Sequence, residues 1–447
     1  MSSENKDQKK LKESIKKIFG KAYTNVDNVS KLYMDSFNKQ FPPYITIDDI
    51  TNKLEYKYCK DATNNLGLHI GQRKLLLSEV QFLTVNKQKY CIYVGSAPSH
   101  KTHLLSQLFP KIKLILVDPN IFEIKITETN KMFRDKPHDD IMMLYYGFPT
   151  KSLTYKTNKI IEDMDSAEAD EMLNFIKTSD HKIFIIEDYM TDKLALIFKK
   201  LGSHSFISDI RSNITNTHPL DIDIVWNSSM VHNWITILKP KISMVKFRIP
   251  YFNAPEDFSV YDFAQDAFKT SKALKKGSID FIKNYNERTF KLPKATLYLQ
   301  AWAGSSSTEM RGWIEKKDIY NIVNYDISDI ENTLFYYNRI MRINYHENKY
   351  ADKELHFCNC NDCAIESVIW QAYINKLPKA TRDQHDVKYY VNMSNISTSR
   401  LLSDKHTQNI YNVLNIDTLD KIINIKNKST EYGKAVNRGN TGLKMKK

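Results

Sequence analysis

Between residues 90 and 301 the chain alternates short apolar runs with longer helical patterns, and this alternation limits the fold more than any other feature. Runs at 90–94, 114–117, 142–146, 183–186, 205–208, 243–249 and 296–301 carry the branched and aromatic residues of strands. Helical patterns stand between them at about 164–178, 191–201 and 221–236. An amphipathic helix is also expected after Gly71, where Leu76, Val80 and Leu83 recur at i, i+4 and i+7. Strands that alternate with helices need crossover connections. The predicted architecture is therefore α/β, a mostly parallel sheet covered on both faces. The segments 151–190 and 253–294 read as additions to a minimal sheet. Glu309 closes a turn, Gly304-Ser305-Ser306-Ser307-Thr308-Glu309, and beyond it the chain reads as mostly helical, with helices expected from Ile330, over 364–373 and over 419–425.

The 447 residues include 65 Lys and Arg against 52 Asp and Glu, a formal charge of +13. An excess of that size favours an anionic partner such as nucleic acid; a Lys-rich composition throughout the chain gives the same number without one. Five cysteines are too few, and odd in number, for a disulfide framework, so a reducing compartment is expected. The first 17 residues lack the apolar core of a signal peptide, and no apolar run reaches the ~18 residues that span a bilayer, so no membrane partner is expected. Lys9, Lys10, Lys12, Lys16 and Lys17 make residues 1–20 a basic arm, and Phe41-Pro42-Pro43-Tyr44 breaks the mixed region that follows.

A ligand corner stands after the first strand. In Tyr93-Val94-Gly95-Ser96-Ala97-Pro98-Ser99, Gly95 permits a sharp turn and close ligand approach. The next strand ends at Val117-Asp118, and an acid roughly 20 residues after the glycine is placed to bind ribose hydroxyls. NAD and S-adenosylmethionine both fit this geometry. The lone glycine disfavours a dinucleotide, whose pyrophosphate wants Gly-x-Gly-x-x-Gly. An ordinary strand–turn–helix corner has the same outline. Gly95 to Thr102 also nearly reproduces a P-loop, but His100 replaces the second glycine and Pro98 lacks an N–H for the phosphate nest.

Four polar residues at the edges of apolar segments carry the chemistry: Lys74, Asp209, Lys246 and Glu309. Taken singly they read as a helix-face charge, a helix cap, a snorkelling strand lysine and a surface acid. Taken together on a nucleoside-binding sheet they suit removal of a proton from a ribose hydroxyl. A lysine amine can take that proton when burial or a neighbouring cation favours its neutral form. Lys246 is the expected base, Lys74 the neighbouring cation, and Asp209 and Glu309 the groups that orient the amines. Glu187 and Asp188 also end a strand; Asp209 is preferred because Arg211 and Ser212 follow it as phosphate donors.

These residues lie in stretches that resemble the poxvirus cap-specific mRNA 2′-O-methyltransferases, which double as stimulatory subunits of the viral poly(A) polymerase. The stretches are 71–79, Tyr93 to Pro98, Ile207 to Ser212, Ile237 to Pro240 with Lys246 to Tyr251, and Ser307 to Arg311, within a similarity covering roughly 50–350. The resemblance implies a Rossmann-like S-adenosylmethionine-dependent sheet with helical additions, and the Lys–Asp–Lys–Glu tetrad with Lys246 as principal base. It implies S-adenosylmethionine contacts from Gln72, Tyr93, Gly95, Ser96, Ala97, Ser99, Asp118, Asp209 and Ile210. Tyr56 and Tyr251 look like the rings that clamp the methylated guanine, which would gain cation–π attraction; core packing is their other reading. Glu331 looks like an edge-binding acid, and Ser307, Arg211 and Arg248 complete the cap and RNA contacts. Asn253 stands where the family has a second acid, and Ser99 where it has glycine.

The implied organisation is a basic arm (1–20), a methyltransferase domain (21–350, core about 69–315), a helical extension (351–425) and a basic disordered tail (426–447). Capped mRNA, neutralised in part by Arg211, Lys239 and Arg248, is the expected substrate, and a poly(A) polymerase catalytic subunit the expected protein partner. The virion and host cytoplasm are the implied location. A non-catalytic RNA-binding subunit and a methyltransferase of uncapped RNA are the competing readings. Separately, His356, Cys358, Cys360 and Cys363 fall within eight residues and could ligate zinc, or stand as free thiols at the head of a helix.

Overall fold

The computed structural model describes residues 44–56, 70–120, 122, 125–126, 131–132, 141–146, 164–211, 221–249, 289–304, 306–343, 348–355 and 357–398. The arm 1–20, Tyr251, Asn253, His356, the helix expected at 419–425 and the tail 426–447 lie outside the described residues. The first half comprises α1 (Ile70–Val85), β1 (Tyr90–Val94), α2 (Thr102–Leu108), β2 (Lys113–Val117), β3 (Lys125–Ile126), β4 (Lys131–Met132), β5 (Ile141–Tyr146), α3 (Ser166–Thr178), β6 (Ile183–Glu187) and α4 (Asp192–Lys199). The second comprises β7 (His204–Ser208), α5 (Asp221–Leu238), β8 (Ile242–Arg248), β9 (Thr289–Pro293), β10 (Thr296–Tyr298), β11 (Glu309–Glu315), β12 (Ile322–Asp326), α6 (Ile327–Arg339), α7 (Asn361–Ile374), α8 (Lys379–Arg382) and α9 (Val387–Ser397).

Eight strands form one sheet in the order β10-β11-β8-β7-β1-β2-β6-β5. The pairings from β8 across to β5 are parallel, and β11 runs antiparallel to both β8 and β10. The central strands are buried on both faces. Cys91, Tyr93, Leu114, Leu116, Ile183 and Ile185 point into one core cluster with α1 and α2. Their neighbours Tyr90, Ile92, Val94, Ile115, Val117, Phe184 and Ile186 point into the other, with α3, α4 and α5. This is why these strands read as unbroken apolar runs rather than alternating ones. The α/β fold with a mostly parallel sheet expected from the sequence is the fold observed.

Two expectations need correction. Glu309 does not close a turn ahead of helix; it opens strand β11, and a further strand, β12, precedes α6. Charged Glu309 and Arg311 interrupt the apolar pattern of β11, and they do so because both face the site described below. In addition, α1 is more than a one-sided amphipathic helix, since every residue from Leu75 to Leu83 is buried. It lies between the sheet and the C-terminal helices: Trp370, Tyr373, Tyr390 and Val391 of α7 and α9 share its core cluster.

The contact between α1 and α7 is polar at one point. The Arg73 guanidinium makes two hydrogen bonds to the Glu366 carboxylate, at 2.8 and 3.0 Å, and a third to the Asn395 side chain on α9. Trp302 and Trp370 donate their indole N–H groups to the same carboxylate at 2.9 and 3.3 Å. Four N–H donors on one buried acid satisfy its lone pairs, the condition under which a buried charge is tolerated. Residues beyond 360 therefore help to hold the helix that carries Lys74.

Candidate active site

In a doubly wound sheet ligands bind beyond the strand C-termini at the point where strand order reverses. Here the chain runs from β1 to β2, out to β5 at the sheet edge and back to β6 between them, then crosses over to place β7 on the other side of β1. The reversal lies between β1 and β7, and Gly95 and Asp209 follow those two strands directly. Asp209 donates its N–H to the Val94 carbonyl at 3.0 Å, which draws the two corners together. Gly95 has φ +76°, and a Cβ there would lie 2.6 Å from the Ile210 nitrogen and 2.7 Å from the Asp209 carbonyl carbon. Both obstacles are backbone and cannot swing aside. Gly95→Ala is expected to cost about 1–2 kcal/mol through the left-handed backbone alone, with the overlap added. Differential scanning fluorimetry should show the lowered melting temperature, and unchanged melting would refute it.

The four polar residues converge. Lys74 Nζ donates to Glu309 Oε1 at 2.7 Å. Lys246 Nζ lies 3.2 Å from Asp209 Oδ1 and 3.6 Å from Glu309 Oε2. Strand register does much of the positioning. Antiparallel pairing sets Arg311 opposite Lys246 and Glu309 opposite Arg248, so these side chains share one face. Ser208 pairs with Val245 on the parallel side, which brings the next residue, Asp209, beside Lys246.

Arg311 is a fifth member that sequence reasoning missed. It donates to Asp209 Oδ1 at 2.7 Å and to Glu309 Oε1 at 3.2 Å, and it is almost fully buried. Its spacing of two from Glu309 on a strand was the available signal. Burial alone would raise the Glu309 carboxyl, but Lys74, Lys246 and Arg311 outweigh it and hold it well below the usual carboxylate range. Burial likewise opposes ionisation of Asp209, and Lys246 and Arg311 overcome it, leaving that group lowered. Lys74 is lowered by burial, with the Arg311 and Lys246 charges acting in the same direction against Glu309. The cluster thus sets three cationic side chains against two carboxylates. Loss of one proton from an amine brings it into balance, the charge state a general base requires.

Depressed carboxyls stabilise the fold above their unfolded values, about pH 4, and that contribution is lost as the pH falls through the folded values. Glu309→Gln should accordingly flatten the loss of thermal stability between about pH 5 and about pH 3. Melting curves across that range test it; an acid limb as steep as in the parent would count against it.

The neighbouring corner fits a hydroxyl-rich nucleoside. Asp118 accepts from the Ala97 N–H at 3.1 Å and from the Asn120 N–H and side-chain amide at 2.8 and 2.9 Å. A carboxylate has about four acceptor sites, so capacity for a hydroxyl remains. The Ser96 hydroxyl in the same loop is buried without a hydrogen-bond partner among the described residues. Ser99 has φ +58°, the left-handed conformation a glycine would take without strain, and its hydroxyl donates to the Ser96 carbonyl. A P-loop role does not fit. Lys101 is buried, bonded to Gln72 Oε1 at 3.1 Å and 3.2 Å from Glu79 Oε1, rather than held out to a phosphate. Tyr93 also donates its hydroxyl to Glu79 and is buried beneath the corner, so Gln72 and Tyr93 both belong to the polar network supporting the loop.

The remaining expected residues divide. Tyr56 packs edge-on to Phe335 at 5.5 Å and donates its hydroxyl to the Ser306 carbonyl at 3.1 Å. Its backbone N–H donates to Asn332 on α6, the residue after buried Glu331. Ser307 Oγ accepts from the Glu309 N–H at 3.2 Å. Tyr56, Ser307 and the Glu331 turn of α6 therefore form a wall that runs into the charged cluster. Arg211 is well exposed and reaches within 4.0 Å of Glu309, and it lines a cleft with Lys246, Arg248, Ser208 and Asn227. Lys239 is placed differently from expectation: it precedes β8, about 20 Å of strand away from the site end, with its ammonium over the Tyr320 ring. Glu187 and Asp188 follow β6, four strands from β8 and roughly 19 Å across the sheet, so the rival acids cannot reach Lys246.

The chain is similar in sequence to known proteins. Residues 38–133 match the family described as poly A polymerase regulatory subunit. A cap-specific mRNA (nucleoside-2′-O-)-methyltransferase of Fowlpox virus (strain NVSL) is 25% identical over 220 residues, covering 47% of this chain and 56% of that protein. The matched part thus spans little more than half the length of that relative. Both matches support the family resemblance read from the sequence. Among solved structures, a magnesium protoporphyrin IX methyltransferase from Synechocystis PCC 6803 with bound SAH is similar at 10% identity, 58% of this chain, 91% of that one and a TM-score of 0.22.

Proposed function

We propose that this protein is an S-adenosylmethionine-dependent methyltransferase that modifies the ribose 2′-hydroxyl of the first transcribed nucleotide of capped mRNA. The observation that carries the reading is the meeting of Lys74, Asp209, Lys246 and Glu309 beside the Gly95–Asp118 corner. Lys246 takes the proton from the hydroxyl. Asp209 and Glu309 orient its amine, and Arg311 keeps both carboxylates ionised and in place. Lys74 adds positive charge against Glu309. Asp118 and the Ser96 loop hold the cofactor's nucleoside, and the bound sulfonium supplies an electrophilic methyl group. The protein's contribution is then alignment of oxygen, carbon and sulfur together with removal of the proton.

Tyr56 and the Ser307–Glu331 wall receive the cap, with Arg211 and Arg248 on the backbone phosphates. The Fowlpox relative's activity favours a capped over an uncapped substrate. Transfer of labelled methyl to matched capped and uncapped oligonucleotides, with the product located by nuclease digestion, tests this. Label on the first ribose of capped RNA only is expected; equal labelling of uncapped RNA would replace the cap reading with a general RNA one. The match to poly A polymerase regulatory subunits favours a second, compatible role, in which the same basic face keeps RNA near a polymerase catalytic subunit. Work in the virion and host cytoplasm is part of this proposal. Among the described residues no helix is long and apolar enough to cross a membrane.

A further inference from the structure

Three of the five cysteines meet at one point outside the charged cluster. The Sγ atoms of Cys358, Cys360 and Cys363 lie within 4.8 Å of one another, and those of Cys358 and Cys363 are 3.8 Å apart. Zinc–sulfur bonds of about 2.3 Å in a tetrahedron set the sulfurs about 3.8 Å apart, whereas a disulfide needs about 2.05 Å. Cys360 is the N-cap of α7 and Cys363 lies in its first turn, so the thiols gather where the helix dipole favours negative charge. The Cys358 N–H points at Cys363 Sγ at 3.4 Å, which fixes the loop against the helix.

The loop is fixed independently of any ion. Asn348 donates to the Cys358 carbonyl at 3.1 Å, and Asp352 and Phe357 pair backbone to backbone. Cys363 is fully buried while Cys358 is exposed, which leaves an entry path from solvent.

We propose that Cys358, Cys360 and Cys363 bind one zinc ion as thiolates, on the rim of the molecule at the start of α7. Among the described residues no fourth His, Cys or acid joins them, so the fourth position takes water or another donor. The ion's role is structural. It ties the 348–360 loop to the helix whose next residues, Asp362 and Glu366, grip Arg342, Trp302 and Arg73. The site does not depend on the methyltransferase reading.

The test uses the full chain purified under reducing conditions without chelator. Elemental mass spectrometry is expected to find about one zinc per chain. Replacement by Co²⁺ is expected to give a thiolate-to-cobalt charge-transfer band. Cys358→Ser, at the exposed ligand, should lower zinc retention against a competing chelator by roughly tenfold or more while the far-ultraviolet spectrum is kept. Cys363→Ser should abolish the cobalt band. Substoichiometric zinc with no band on adding Co²⁺ to the reduced chain would overturn the proposal, as would a Cys358–Cys363 disulfide in protein isolated without air.

Discussion

Lys246→Ala is expected to lower the methyl-transfer rate on capped RNA by about 10²-fold or more, with RNA retention nearly unchanged, because general bases contribute typically 10²–10⁴-fold. The amine reaches both carboxylates, 3.2 Å from Asp209 and 3.6 Å from Glu309, and it lines the cleft with Arg211 and Arg248. Removing it leaves Asp209 still held by Arg311 at 2.7 Å, so the pocket should keep its shape. Lys246→Arg sharpens the experiment. A guanidinium preserves the charge but cannot release its proton near neutral pH. If the lysine acts as a base, both variants lose kcat together. Recovery of most activity in the arginine variant would show that positive charge alone matters and would remove Lys246 as the base. RNA affinity measured on the same proteins separates catalysis from the retention role, since the proposed phosphate contacts rest on exposed Arg211 and its neighbours.

The largest stability loss is expected from Arg73→Met. Glu366 is completely buried, and this substitution removes the only cation paired with it among the described residues. Breaking a buried pair from one side costs about 3–5 kcal/mol, because the remaining charge keeps its desolvation penalty. The indole N–H groups of Trp302 and Trp370 stay, but neutral donors do not replace a guanidinium. Removing both charges together, in Arg73→Met with Glu366→Gln, should recover a large part of the loss, because two near-isosteric neutral groups leave no buried ion. Urea unfolding followed by tryptophan fluorescence reads this directly, since both tryptophans contact Glu366. A single variant as stable as the parent would mean that the pair is not needed to hold α7 on α1. Catalysis should fall with stability, as Lys74 is the next residue along α1.

Much of this site was legible in the linear order. Strand-like runs ending at Val94, Val117 and Ser208 fall one residue from where the chain turns, and the polar residues that follow them, Gly95, Asp118 and Asp209, are the ones the strands present at their C-terminal ends. Periodicity works there because central parallel strands are apolar on both faces, so the first polar residue marks the edge. The same logic fails at β11. That strand carries Glu309 and Arg311 inside its length, and without the sheet nothing distinguishes them from surface charges. Arg311 gains its meaning only from register, across from Lys246 and in reach of Asp209, a residue 102 positions away. Lys239 shows the converse. In the sequence it groups with Arg211 and Arg248 as an RNA-neutralising residue, but the length of β8 places it at the opposite end of the strand from Lys246 and Arg248.

The sequence by itself determined the α/β class and the polar residues that end its central strands, Gly95, Asp118 and Asp209, because backbone periodicity and turn chemistry are local; the family resemblance supported Lys74, Lys246 and Glu309. Tertiary structure alone decided that Arg311 completes the cluster, that Arg73 ties α1 to Glu366, and that three thiols share one point. Ion pairing and ligand geometry depend on distances of a few ångströms between residues far apart in the chain, and only strand register and helix packing set those.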